Sequence, residues 1–253
     1  AKDVENGFLL LEDLGGPTLL QTINAENADH WFDQALVQWL QIQQINTIED
    51  LPAYDEALIR RELALFPDWF LGTHLSVTLS PKEHQALTQT FDVLVDALLS
   101  QPYVLVHRDF MPRNLMPLDS GVAVLDFQDA VRGPLAYDVI SCFKDAFSSW
   151  PQPRVDQWTQ RWFNAARSMG TAVPSFEQFQ RDLDLTGIQR HIKVLGIFAR
   201  LKHRDNKPRY LSDAPRFIAY LVAILPRYPE LQGLNDVLQT HVLPKIPALS
   251  LPE

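Results

Sequence analysis

An α+β fold is what the sequence predicts, mainly helical, with a small β-hairpin near its middle and a fragment of sheet at its N-terminus. Three observations predict it. Apolar residues recur at helical spacing up to about residue 100 and again after residue 134. Short apolar runs bounded by turn residues fill the stretch between, from Tyr103 to Leu125. At the start, Asn6-Gly7 supplies the positive φ angles of a tight hairpin and leads into the apolar strand Phe8-Leu9-Leu10-Leu11.

The helical elements follow in order. Phe32, Leu36, Trp39 and Leu40 share one face, and a second helix covers Tyr54 to Phe66. The third opens on a capping box, with Ser80 as N-cap, Pro81 at the first helical position and Glu83 three residues after the cap. Its apolar face is Leu87, Phe91, Leu94 and Leu98. Tyr103-Val104-Leu105-Val106 reads as a buried strand, and Leu115-Met116 pairs with Val122 to Leu125 across Asp119-Ser120-Gly121. Beyond it, Val155, Trp158, Trp162 and Ala165 form one helix face, and Ile188, Ile192, Leu195 and Ala199 another.

Composition narrows the function classes. Thirty-one acidic against 22 basic residues give a formal charge of −9 over 253 residues. A domain that grips nucleic acid by its phosphates carries a basic face, so that role is excluded. The longest apolar run, Phe217 to Leu225, is nine residues and too short to span a bilayer. One cysteine, Cys142, cannot form an internal disulfide; it reads as a buried filler and points to a reducing compartment, the cytoplasm. No obligate protein partner is indicated.

The chemistry lies in Val106-His107-Arg108-Asp109-Phe110-Met111-Pro112-Arg113-Asn114-Leu115, followed by Val124-Leu125-Asp126-Phe127. An aspartate and an asparagine stand five apart on a loop between strands, and a second aspartate ends the next hairpin. Phosphoryl transfer from ATP needs such a set: a carboxylate to accept the proton of the attacking hydroxyl, and oxygen ligands that hold Mg²⁺ against the phosphates. At these residues the chain resembles the protein-kinase-like fold, specifically the aminoglycoside phosphotransferase branch of small-molecule kinases. The resemblance implies Asp109 as catalytic base, Asn114 and Asp126 as Mg²⁺ ligands, and His107 as a structural brace. Gln128 replaces the glycine that follows the Asp-Phe pair in protein kinases, and six residues separate Asp126 from Gly133-Pro134, too few for an activation loop. Gly133-Pro134-x-x-Tyr137-Asp138 resembles the small-molecule branch, which makes Asp138 structural, bonded back to the catalytic loop.

The resemblance extends outward. Leu9 to Leu14 looks like the last strand of the N-lobe and the hinge, with the backbone of Glu12 and Leu14 contacting adenine. Arg61 to Phe70 and Gln189 to Leu201 resemble segments of the bacterial anomeric kinases that phosphorylate N-acetylmuramate and N-acetylglucosamine at C1 during cell-wall recycling. Glu62 and Trp69, seven apart, offer such a sugar an acceptor and an aromatic plane, although a tryptophan at this spacing also serves as core. Arg190, Lys193, Arg200 and Arg204 fall on one helical stripe, which either binds the lactyl carboxylate of a muramate or is a solvated face paired with nearby acids. Arg113 and Asp129 flank the catalytic groups and either touch substrate or phosphate or sit at the surface.

These readings give two regions: residues 1–14, a remnant of the N-lobe with its last hairpin and hinge, and residues 15–253, a helical C-lobe carrying the catalytic and metal loops. Most of the β-rich N-lobe, with its glycine-rich loop and strand lysine, is expected to be absent, and the piece alone is expected to turn over little. The expected activity is ATP- and Mg²⁺-dependent phosphorylation of an amino sugar. The alternatives are an aminoglycoside, an amino alcohol or another small acceptor, or a kinase-like module that only binds.

Overall fold

The computed structural model describes residues 1–45, 48–145 and 147–246. β1 (Lys2–Asp3) and β2 (Phe8–Leu9) pair antiparallel through a turn that places Gly7 at φ +71°. Val4, Phe8, Leu9, Leu10 and Leu11 are each 70% exposed or more. A single turn, α1 (Leu19–Thr22), precedes α2 (Ala28–Gln43), which buries Phe32, Trp39 and Leu40.

α3 (Glu56–Leu65) begins where the Asp55 carboxylate accepts the amide of Leu58, at 2.9 Å. It does not stop at Phe66 but widens into a π-helical segment, Phe66–His74, in which the Leu75 amide reaches the Phe70 carbonyl at 3.0 Å. Pro67 has no amide to donate at the start of that segment, which favours the wider turn. α4 (Pro81–Leu99) carries both halves of its capping box, and the Ser80 bonds pull the Glu83 carboxyl down to about 2.

β3 (Tyr103–Val106) is followed by the hairpin of β4 (Leu115–Leu118) and β5 (Gly121–Val124), and then by β6 (Val131–Pro134). β6 pairs with β3, Val106 opposite Val131. The sequence conceals this strand because Gly133-Pro134 reads as a turn. Glycine suits the tight packing there: a Cβ on Gly133 would lie 3.1 Å from that of Tyr54.

The remaining helices are α5 (Tyr137–Phe143), α6 (Gln152–Ser168), α7 (Phe176–His203), α8 (Ala214–Ile224) and α9 (Gln232–Val237). Trp39 joins the core to the loop after β3, its ring 5.0 Å from Phe110 and 5.3 Å from Trp162. α7 is central, buried on nearly every side, with Ile188, Ile192, Leu195 and Ala199 fully enclosed. It crosses the end of α3 at Gly196, where a Cβ would stand 2.4 Å from the Leu65 carbonyl group. Backbone cannot yield there as a flexible side chain would. Gly196→Ala is therefore expected to destabilise the fold by about 2 kcal/mol or more, despite alanine's better helix propensity. Urea unfolding measures this; an unchanged midpoint would contradict the close crossing.

Candidate active site

Two strand ends and one buried aspartate shape the loop from His107 to Asn114. The Asp138 carboxylate accepts the amides of His107 at 2.8 Å and Arg108 at 2.9 Å, and Ser141 Oγ donates to the Arg108 carbonyl at 2.8 Å. Burial pushes the Asp138 carboxyl up to about 7, against the pull of those two amides. Arg108 sits at φ +74°, an uncommon conformation for a side-chain-bearing residue, fixed by these bonds. His107 is 2% exposed; its Nε2 lies 2.9 Å from the Leu125 carbonyl, and its ring stands edge-on to Phe110. The histidine thus ties the loop to the strand that delivers Asp126.

Asn114 closes the loop. Its Nδ2 donates to the Asp109 carbonyl at 2.9 Å, and its own carbonyl accepts the Leu125 amide at 2.8 Å. Its Oδ1 has no protein donor among the described residues. Asp126 follows at φ +65°, its carboxylate accepting the side-chain amide of Gln128. Asp109, Asn114 and Asp126 all line one cavity of about 580 Å³, together with Arg113, Asp129, Glu62 and Arg190.

Beneath Asp109 lies a buried polar cluster. Arg190 Nη2 stands 3.5 Å from Asp109 Oδ1, and Arg190 Nη1 donates to the Tyr137 hydroxyl at 3.3 Å. Lys193 Nζ donates to the same hydroxyl at 2.7 Å and lies 3.3 Å from Glu62 Oε1. Arg108 Nη2 donates to that Glu62 oxygen at 2.6 Å, and the Tyr54 hydroxyl and Gln189 Nε2 donate to the other. Burial raises the pKa of both carboxyls, but the cations outweigh it: Arg190 and Lys193 hold Asp109 below its ordinary value, and Lys193 and Arg108 do the same for Glu62.

Other expected residues lie elsewhere. Trp69 does not line the cavity: it sits in the widened π-helical segment, out of phase with Glu62, half-buried against the core. The solvated-face alternative is overturned for Arg190 and Lys193, which are 4% and 6% exposed because α7 runs through the interior. Arg204 fits it, exposed and paired with Asp205 at 2.7 Å. Glu12 is exposed and Leu14 half-buried, and neither lines the cavity. Nothing in the sequence marks Tyr54, read as a helix start, or Gln189, at the head of a kinase-like segment, as members of the cluster. Tyr137 stands in a motif read for its aspartate alone.

The family model described as "Phosphotransferase enzyme family" matches residues 2–179. The chain is 52% identical over 239 residues to an N-acetylmuramate/N-acetylglucosamine kinase of Pseudomonas aeruginosa, covering 94% of this chain and 71% of that protein. It is 50% identical to a protein of the same name from Pseudomonas putida, covering 94% and 70%. With one from Neisseria meningitidis it shares 41% identity, covering 93% and 72%. Among solved structures, the ADP-bound aminoglycoside phosphotransferase APH(2'')-Ib superposes with a TM-score of 0.50 at 10% identity, covering 85% of this chain and 70% of that one. That likeness shows a shared kinase-like fold. On the family match and on three relatives above 40% identity, the chain belongs to the phosphotransferase enzyme family.

Proposed function

We propose that this protein transfers the γ-phosphoryl group of ATP to the C1 hydroxyl of N-acetylmuramate and N-acetylglucosamine, in the cytoplasm. The observation that carries it is the convergence of Asp109, Asn114 and Asp126 on one cavity, in a chain whose relatives above 40% identity bear those sugars in their names. The cavity walls favour these acceptors over a polycationic aminoglycoside. Arg61, Arg108, Arg113, Arg190, Lys193 and Arg200 line it against Glu62, Asp109, Asp126 and Asp129.

In this reading Asp109 receives the acceptor hydroxyl. As the hydroxyl oxygen bonds to the γ-phosphorus and ADP departs, the proton passes to the Asp109 carboxylate. A carboxylate held below its ordinary pKa is a weak base, so it orients the hydroxyl first and takes the proton late, as a loose transition state allows. Arg190 positions Asp109 and keeps it ionised. Asn114 Oδ1 and the Asp126 carboxylate are hard oxygen donors, and one amide with one carboxylate suits a cation that keeps several waters and binds phosphates. Mg²⁺ held there would offset the charge gathered on the phosphates. We read residues 1–14 as hairpin and hinge and residues 15–253 as the lobe that receives the acceptor. In this reading the hinge would offer the main-chain groups of Glu12 and Leu14 to adenine.

The test is an assay of the full-length protein with ATP, Mg²⁺ and each sugar, followed by ³¹P NMR. A sugar 1-phosphate is expected from both; phosphate at another position, or on neither sugar, would reject the reading.

A further inference from the structure

The proposed chemistry leaves charge in the cavity unused. Arg108 and Lys193 share the single carboxylate of Glu62, and Arg190 faces Asp109. Arg61, Arg113 and Arg200 also line the cavity, and none of them forms an ion pair among the described residues. They differ in confinement. Arg61 and Arg113 are exposed, the Arg113 guanidinium lying over the Phe147 ring at 4.8 Å. Arg200 is half-buried, and its Nε is enclosed with no acceptor. An enclosed guanidinium N–H without an acceptor carries a desolvation cost that an incoming anion offsets.

The place of Arg200 says which part of a substrate supplies that anion. Arg190, Lys193, Val194, Ile197, Arg200 and Leu201 form one stripe of α7 along the cavity. Arg190 marks the Asp109 end, and Arg200 lies ten residues on, about 15 Å along the helix axis. Val194, Ile197 and Leu201 give the stretch between an apolar floor. A pyranose with its reacting hydroxyl at Asp109 would lie over the start of that floor, a ring substituent covering part of the separation and the long Arg200 side chain, leaning toward the helix N-terminus, covering the rest. The proposed metal-side groups, Asn114 and Asp126, flank the β-hairpin rather than standing on α7.

N-Acetylmuramate differs from N-acetylglucosamine by one carboxylate-bearing ether substituent. We propose that Arg200 binds this carboxylate and sets the preference between the two sugars; the proposal rests on the acceptor reading above. A planar guanidinium fork matches a carboxylate, whereas a lysine would keep only the charge.

Steady-state kinetics of full-length wild type, Arg200→Gln and Arg200→Lys, with both sugars at saturating ATP, test it. In Arg200→Gln, kcat/KM for N-acetylmuramate is expected to fall relative to that for N-acetylglucosamine by roughly tenfold or more, mainly through KM. Arg200→Lys should recover part of that ratio. A ratio within about twofold of wild type, with both sugars still phosphorylated, overturns the Arg200 assignment alone. Parallel losses on both sugars with a raised KM for ATP also overturn it, placing Arg200 with the nucleotide. A wild-type protein that phosphorylates neither sugar rejects the acceptor reading, and the assignment with it.

Discussion

Replacing Asp109 by asparagine is expected to lower kcat about a thousandfold while leaving the melting temperature within a few degrees of wild type. The two halves of this expectation have separate causes. Asparagine keeps the shape and the loop but cannot accept a proton, so the loss falls on the transition state rather than on binding. Stability changes little because the Asp109 side chain is 43% exposed, and Arg190 keeps its bond to Tyr137 with the Asp138 carboxylate nearby. KM for sugar and for ATP should move by less than about threefold, since neither is held mainly by this carboxylate. Activity within tenfold of wild type would assign the base to another group. A large rise in KM without loss of kcat would make Asp109 a binding residue.

The candidate site was legible where chemistry and local geometry coincide. Asp109, Asn114 and Asp126 stand at short, fixed spacings on a strand–loop–hairpin, so the sequence that names them also brings them together. The capping box at Ser80 was legible for the same reason, because all its partners lie within four residues. What stayed hidden depends on distant contacts. Tyr54 and Gln189 lie 135 positions apart and meet at 3.0 Å only because α7 crosses the chain between α2 and α3 and the end of α3. The Arg190 and Lys193 stripe looked amphipathic because a helical wheel shows which residues share a face but not what covers that face. For Trp69 the core alternative fits, and the change of helical period at Pro67, which a pattern built on 3.6 residues per turn cannot follow, takes it off the Glu62 face. Burial of cations is a tertiary fact, and so is the network that makes it tolerable.

That network sets the largest expected effect on stability. Glu62 is 6% exposed and accepts from Arg108, Tyr54 and Gln189, with Lys193 beside it. Glu62→Ala strands two cations in the interior at once, which is expected to cost about 3–5 kcal/mol and to lower the melting temperature by about 10 °C. Glu62→Gln fills the space but cannot neutralise, so it should cost somewhat less. Because the folded-state pKa of Glu62 is depressed below the ordinary 4.5, its contribution is full above that pH and is lost as pH falls through the lower, folded value. The wild-type advantage over Glu62→Gln should therefore be constant near neutrality and shrink in acid below about pH 4.5. A double-mutant cycle identifies the cause. If the damage is an uncompensated cation, Glu62→Gln combined with Lys193→Met should cost clearly less than the sum of the two single changes. Strict additivity would mean that Glu62 stabilises by packing alone. Catalysis should follow the same cycle, because Arg108 holds Glu62 with its side chain and is itself the residue that turns the chain into Asp109.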